Sequence, residues 1–131
     1  MGFWKDGLSM KDKLKILIVE PNKPPVISEV EDDYKAMQNV VGGLISSFYP
    51  FDDNAFIFCN DEGKLIGLEG NRRIGETVIA GTFFIVGDGL DGECISLTDE
   101  QLQKYSERFS KPEQITQEEV QADMDFIFYS W

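Results

Sequence analysis

The sequence predicts an α+β fold: a mainly antiparallel sheet with one helix at about 29–41 and one or two C-terminal helices packed on it. Three observations carry this expectation. Segments of period two follow one another between residues 44 and 97, joined by tight turns. Helical spacing appears in only three places, each behind a capping-box pattern. Strands and helices are thus grouped rather than alternating, the order of an α+β domain. A chain of 131 residues, 42% apolar and 27% charged, sets one globular domain with an ordinary core.

Residues 1–14 hold Phe3, Trp4, Gly7 and Ser9 without a sustained period and read as a lead-in. Residues 15–20 form a continuous apolar run bounded by Pro21, Pro24 and Pro25, the mark of a short strand buried on both faces. Ser28 with Glu31 makes a capping box, and Val30, Tyr34, Met37 and Val41 follow at helical spacing to the Gly42-Gly43 stop. The period then changes to two. Residues 44–51 and Ala55–Asn60 are strands; 61–64 is a hairpin turn with Gly63 at the positive-φ position, and 65–68 is its partner strand. Residues 70–73 break that strand, 77–86 is one long strand, and a wide turn at 87–92 leads into 93–97. Thr98 with Gln101 opens a helix carrying Leu102, Tyr105 and Phe109, and Pro112 ends it. Thr116 with Glu119 opens the last, with Val120, Met124 and Phe128 on one side. Residues 15–109 are therefore the domain. Residues 110–131 form a helical and aromatic tail, expected to dock on it, with dimerisation through the tail as the rival reading.

Composition removes much of the functional menu. Histidine is absent, so no Ser-His-Asp or Cys-His arrangement, His-ligated metal or His acid/base exists within the chain. The net charge of −12 argues against direct nucleic-acid binding. Spread evenly, it amounts to one charge per ~600 Å², against one per roughly 100 Å² on duplex DNA, too dilute for mimicry unless gathered on one face. Cys59 and Cys94 lie in apolar surroundings and read as reduced, slowly reacting thiols. No apolar run reaches the ~18 residues of a membrane span, and the N-terminal residues show neither a secretory nor a myristoylation pattern, so a cytoplasmic protein is expected.

Two polar stretches flanked by apolar strands supply the candidate binding residues Asn60, Glu62, Asn71 and Arg72. A straight strand between the two stretches would hold them ~20 Å apart. One reading makes them turn formers and surface charges. The other makes Arg72 an anchor for a carboxylate or phosphate, since its fork suits bidentate pairing. Asp88, Asp91 and Glu93 lack the EF-hand spacing and read as a solvated turn. Gly87-Asp88-Gly89 has no helix directly behind it to make a nucleotide site. Neither catalytic residues, a cofactor nor a metal is expected.

Residues 15–21 with Pro24 and Pro25, the Val41 to Ile45 stretch, Asn60 to Leu65, Asn71-Arg72, the 79–87 segment and Leu97 to Glu100 resemble, in that order, the domain of unknown function 3846 family. The resemblance spans about residues 15–109. It implies a setting in phages, plasmids and conjugative elements and brings no activity with it. Two functions follow as expectations. The first is a non-catalytic interaction or inhibitor protein of a mobile element, binding a host protein through an acidic surface. The second is a small-molecule or peptide-binding module with its site near the 60–64 turn and Arg72.

Overall fold

The structure, a computed structural model, describes the backbone of residues 12–129 and the side chains of residues 12–123. Eight strands and three α-helices follow in the order β1 (Lys13–Val19), β2 (Val26–Glu31), α1 (Tyr34–Val41), β3 (Ile45–Phe48), β4 (Ala55–Asn60), β5 (Gly70–Ile74), β6 (Thr77–Ala80), β7 (Phe83–Asp88), β8 (Cys94–Ile95), α2 (Asp99–Arg108) and α3 (Gln117–Tyr129), with a short 3-10 turn at Leu90–Gly92. The main sheet runs β2-β1-β7-β4-β3, β8 pairing with β7, and every ladder is antiparallel. β5 and β6 form a separate antiparallel hairpin. The fold is α+β, as the grouping of periods predicts.

The central strands are apolar at nearly every position because both faces are covered. In β7, Phe83 and Ile85 enter one core with Leu17, Val19, Ile57 and the α2 residues Leu102 and Tyr105. Phe84 and Val86 enter the other, with Leu14, Ile16, Phe56 and the α1 residues Met37 and Val41. Full burial of each such side chain is worth about 1.5–3 kcal/mol, so β7 serves two cores at once. The hairpin lies on the α2 side: Ile74 and Ile79 face the first core, while Val78 and Ala80 face outward and are covered by Val120 of α3.

α2 starts as the sequence predicts. Thr98 caps it, accepting from the Gln101 amide, and the Gln101 side chain accepts from the Thr98 amide in return. The first helix is corrected. It begins at Tyr34, not near 29, with Asp33 as its N-cap accepting from the Ala36 amide. Ser28 and Glu29 sit in β2, opposite Ile16 and Lys15. Cross-strand pairing with β1, and burial of Val30 beside Leu14, outweigh a local capping pattern worth about 1 kcal/mol.

The 61–68 hairpin is a second correction. β4 pairs with β3 and β7, and residues 61–67 coil into successive turns tied by Ile66 N–H to Glu62 C=O and Leu68 N–H to Gly63 C=O. The left-handed position is Gly67, at φ 77°, rather than Gly63. Gly63 serves close approach instead: a Cβ there would lie 2.6 Å from the Ala80 carbonyl oxygen. The predicted break at 70–73 is strand β5. The predicted long strand 77–86 divides at Gly81, whose φ of 85° turns the chain from the hairpin into the main sheet. The strands expected at 44–51 and 93–97 shorten to β3 and β8. The lead-in, up to residue 11, and the tail's aromatic side chains lie outside the described residues.

Candidate functional site

Asn60 is the last residue of β4 and is buried, with 9% of its surface exposed. Its Nδ2 donates to the Val41 carbonyl at 3.2 Å, and its Oδ1 accepts from the Glu62 amide at 2.8 Å. Asn60 thereby satisfies one of the carbonyls left open at the end of α1 and starts the 61–67 coil. The Gly42-Gly43 pair serves the same junction: Gly42 is the helix C-cap, and a Cβ on Gly43 would stand 2.9 Å from Asn60 Nδ2. Glu62 is exposed, on a shallow depression beside Gln38 and Gly43.

Asn71 and Arg72 are elsewhere and fully buried. Asn71 Nδ2 donates to the Val19 carbonyl at 2.8 Å and the Gly81 carbonyl at 2.9 Å. Arg72 Nη2 donates to the carbonyls of Lys23 at 2.8 Å and Phe109 at 2.9 Å, and its Nη1 to Asn71 Oδ1 at 2.8 Å. Phe109 is the C-cap of α2, so the guanidinium sits where the helix dipole is negative. Burial pulls the pKa of Arg72 down, and Glu113 partly offsets this; a guanidinium stays charged under such a shift. Its Nε has no hydrogen-bond partner among the described residues. The structure brings Asn60 next to Glu62 and Asn71 next to Arg72, and no hydrogen bond joins the two pairs among the described residues.

The neighbouring Arg73 points outward. It forks onto both Glu119 oxygens at 2.6 Å and reaches Glu113 at 2.9 Å, tying β5 to the start of α3. These hydrogen bonds push its pKa further up and pull the Glu119 carboxyl below its ordinary value.

Beside the 60–65 loop lies a groove of about 380 Å³. Ser46, Ser47 and Phe48 of β3 form one wall, Thr77 to Ala80 of β6 the opposite wall, and Cys59, Asn60, Gly63 and Leu65 close the end. β3 is an edge strand of the main sheet. The Asp61 amide donates to the Leu44 carbonyl, which fixes the ladder's alternation and turns the backbone groups of Ile45 and Ser47 away from β4. Lys64, also on the wall, pairs with Asp123 of α3, which accepts from the Val78 amide as well. Cys59 donates weakly to the Ser46 carbonyl, and burial pushes its thiol pKa up, Lys64 offsetting part of the shift. Cys94 is raised by burial, then by Asp32 and Asp88. Both cysteines are free and half-buried.

The sequence points to the loop and to strands at 44–51 and 77–86, but not to their bordering one groove. The pair of serines in a four-residue strand was the one signal for an edge. Among the described residues no trio of Cys, Asp or Glu is grouped to hold a metal, and no helix is long and apolar enough to cross a membrane. The sequence model of a family described as "Domain of unknown function (DUF3846)" matches residues 13–110. No curated protein and no solved structure matches the chain.

Proposed function

The chain belongs to the domain of unknown function 3846 family, and from that premise we propose that it is a non-catalytic interaction module that takes an extended segment of a partner protein into the groove between β3 and β6. One observation carries the reading: an edge strand with outward backbone groups borders an open groove that β6 also lines. Strand addition suits such an edge, main-chain hydrogen bonds supplying affinity and alternate side chains entering the groove. Lys64 already has Asp123 as partner, so an anionic ligand gains little there. Arg72 supports the site indirectly, by holding α2 and the hairpin's first strand, and does not line the groove. A host protein is the partner class that the family's setting in mobile elements suggests, met in the cytoplasm.

The test is selection of peptides from a random library on the intact chain, followed by affinity measurement against Ser47→Pro and Leu65→Glu. Proline removes the outward amide donor of an edge strand without touching the β4 ladder, and Leu65 is 63% exposed. Each variant is expected to weaken the selected peptides by about tenfold, the worth of roughly 1.4 kcal/mol. Unchanged affinity in both defeats the reading.

A second reading, docking of a host protein on an acidic surface, draws on one end of the main sheet. The Asp32 amide meets the Asp12 carbonyl there, and Asp32 and Asp88 both act on Cys94. It calls for partner binding that weakens steeply with salt and ignores Ser47→Pro.

A further inference from the structure

The other edge of the main sheet is β2, and it too is open among the described residues. Val26 and Ile27 are 52% and 58% exposed, large apolar side chains on a strand that has no outer partner among the described residues. Edge strands in soluble proteins are ordinarily blunted by charge, proline or cover. Pro24 and Pro25 precede β2 rather than interrupt it. Ile27 stands opposite Leu17 in the ladder, and Leu17 packs with Leu102, so Ile27 lies on the α2 side. There it borders a shallow groove of about 590 Å³, walled by Asp99, Leu102, Gln103, Ser106 and Glu107 of α2.

The charge of this groove selects its occupant. Its walls carry two carboxylates, Asp99 and Glu107, and no Lys or Arg. Glu29, two residues along β2 on the same side, stands opposite Lys15 in the ladder and lies outside the groove's lining, so the groove's charge is that of Asp99 and Glu107. A second copy of the chain would bring the same acids to the same place, in a protein with a net charge of −12, and like charges set opposite one another disfavour that pairing. We propose that the β2 edge and the adjoining face of α2 form a second docking surface, for an extended cationic segment of a partner protein that alternates apolar and basic side chains. The apolar side chains meet Ile27 and Leu102, the basic ones meet Asp99 and Glu107, and the main chain adds to β2.

The experiment uses the intact chain and two synthetic peptides of roughly eight residues, a strand's length, one alternating Val with Lys and its twin alternating Val with Glu. Binding is followed by peptide anisotropy and by amide chemical shifts of the protein. The lysine peptide is expected to bind, to shift the amides of Val26–Glu31 most, and to weaken with added salt, while the glutamate twin does not bind. Ile27→Lys and Glu107→Lys, both at exposed positions, should each weaken it by about tenfold, and Ser47→Pro should leave it unchanged. Equal binding of the twin, largest shifts in β3, or indifference to Ile27→Lys overturns the proposal. So does association of the protein with itself that Ile27→Lys abolishes. Binding that emerges only when Lys5 and Lys11 are changed to Glu also overturns it, since the edge would then belong to the chain's own first residues.

Discussion

Asn60 and Arg72 come from the same kind of sequence, polar residues between apolar strands, and each completes the C-terminal end of a helix: Asn60 that of α1, Arg72 that of α2. The surroundings then diverge. Around Arg72 the Lys23 loop, β5 and the end of α2 close over the guanidinium, and every partner is a carbonyl oxygen of the protein itself. Around Asn60 the chain coils outward through Gly63 to an exposed Leu65, leaving a groove against two strand edges. A polar cluster in sequence thus marks a junction, and whether the junction is also a site depends on what packs over it.

The comparison breaks most clearly at the arginines. Arg72→Met should cost about 3 kcal/mol in denaturant unfolding, because the buried Phe109 carbonyl and Asn71 side chain lose their donor at ~1–3 kcal/mol each, and the part-buried Lys23 carbonyl loses its own. Arg73→Met removes two part-exposed ion pairs, with Glu113 and Glu119, and should cost less, with a loss that shrinks in high salt. Equal losses would mean that Arg72 is not the closure of the α2 end.

Gly63→Ala sharpens the other side. With the Ala80 carbonyl 2.6 Å from the new methyl group, the coil must shift away from β6, at roughly 1–3 kcal/mol. The same shift deforms the groove wall, so peptide affinity should fall together with stability. Loss of stability with full affinity would detach the coil from the site.

A smaller effect is expected where Asp53 accepts from Tyr105 Oη at 2.8 Å, from Gln101 and from Lys104, linking the 52–54 turn to α2. The tyrosine hydroxyl foremost holds the Asp53 carboxyl below its ordinary value. Tyr105 is raised, by burial first and then by Asp53. A depressed carboxyl stabilises the fold above its unfolded pKa of ~3.9, and that contribution is lost as pH falls through the lower folded value. A raised phenol contributes below ~10 and loses its contribution as pH rises through the folded value. Tyr105→Phe should therefore cost roughly 1 kcal/mol near neutrality and flatten both the acid and the alkaline limbs of the stability profile. An unchanged acid limb would show that the hydroxyl does not set Asp53.

How much of this was legible follows from how local each signal is. α2 could be read in full, since its capping box, its Leu102, Tyr105 and Phe109 stripe and Pro112 lie within a short stretch. β4 could be read because both faces are apolar. β5 could not: two of its inner residues, Asn71 and Arg72, are polar and yet fully buried, and only the carbonyls of Val19, Gly81, Lys23 and Phe109, distant in sequence, make that tolerable. The start of α1 failed because a local capping pattern stood in a segment that β1 claims as a neighbour. The groove draws its walls from residues 46–48, 59–65 and 77–80, which no pattern of adjacent residues brings together.

The claim that the groove beside β3 is the binding site can be tested through the two cysteines, since Cys59 lines it and Cys94, half-buried at β8, is not among its lining residues. Labelling of the native chain with a thiol reagent is timed with and without the peptides selected from the library. The account predicts that bound peptide slows labelling of Cys59 several-fold and leaves the rate at Cys94 unchanged. Slowing at Cys94 alone, or no change at Cys59 under saturating peptide, would contradict it.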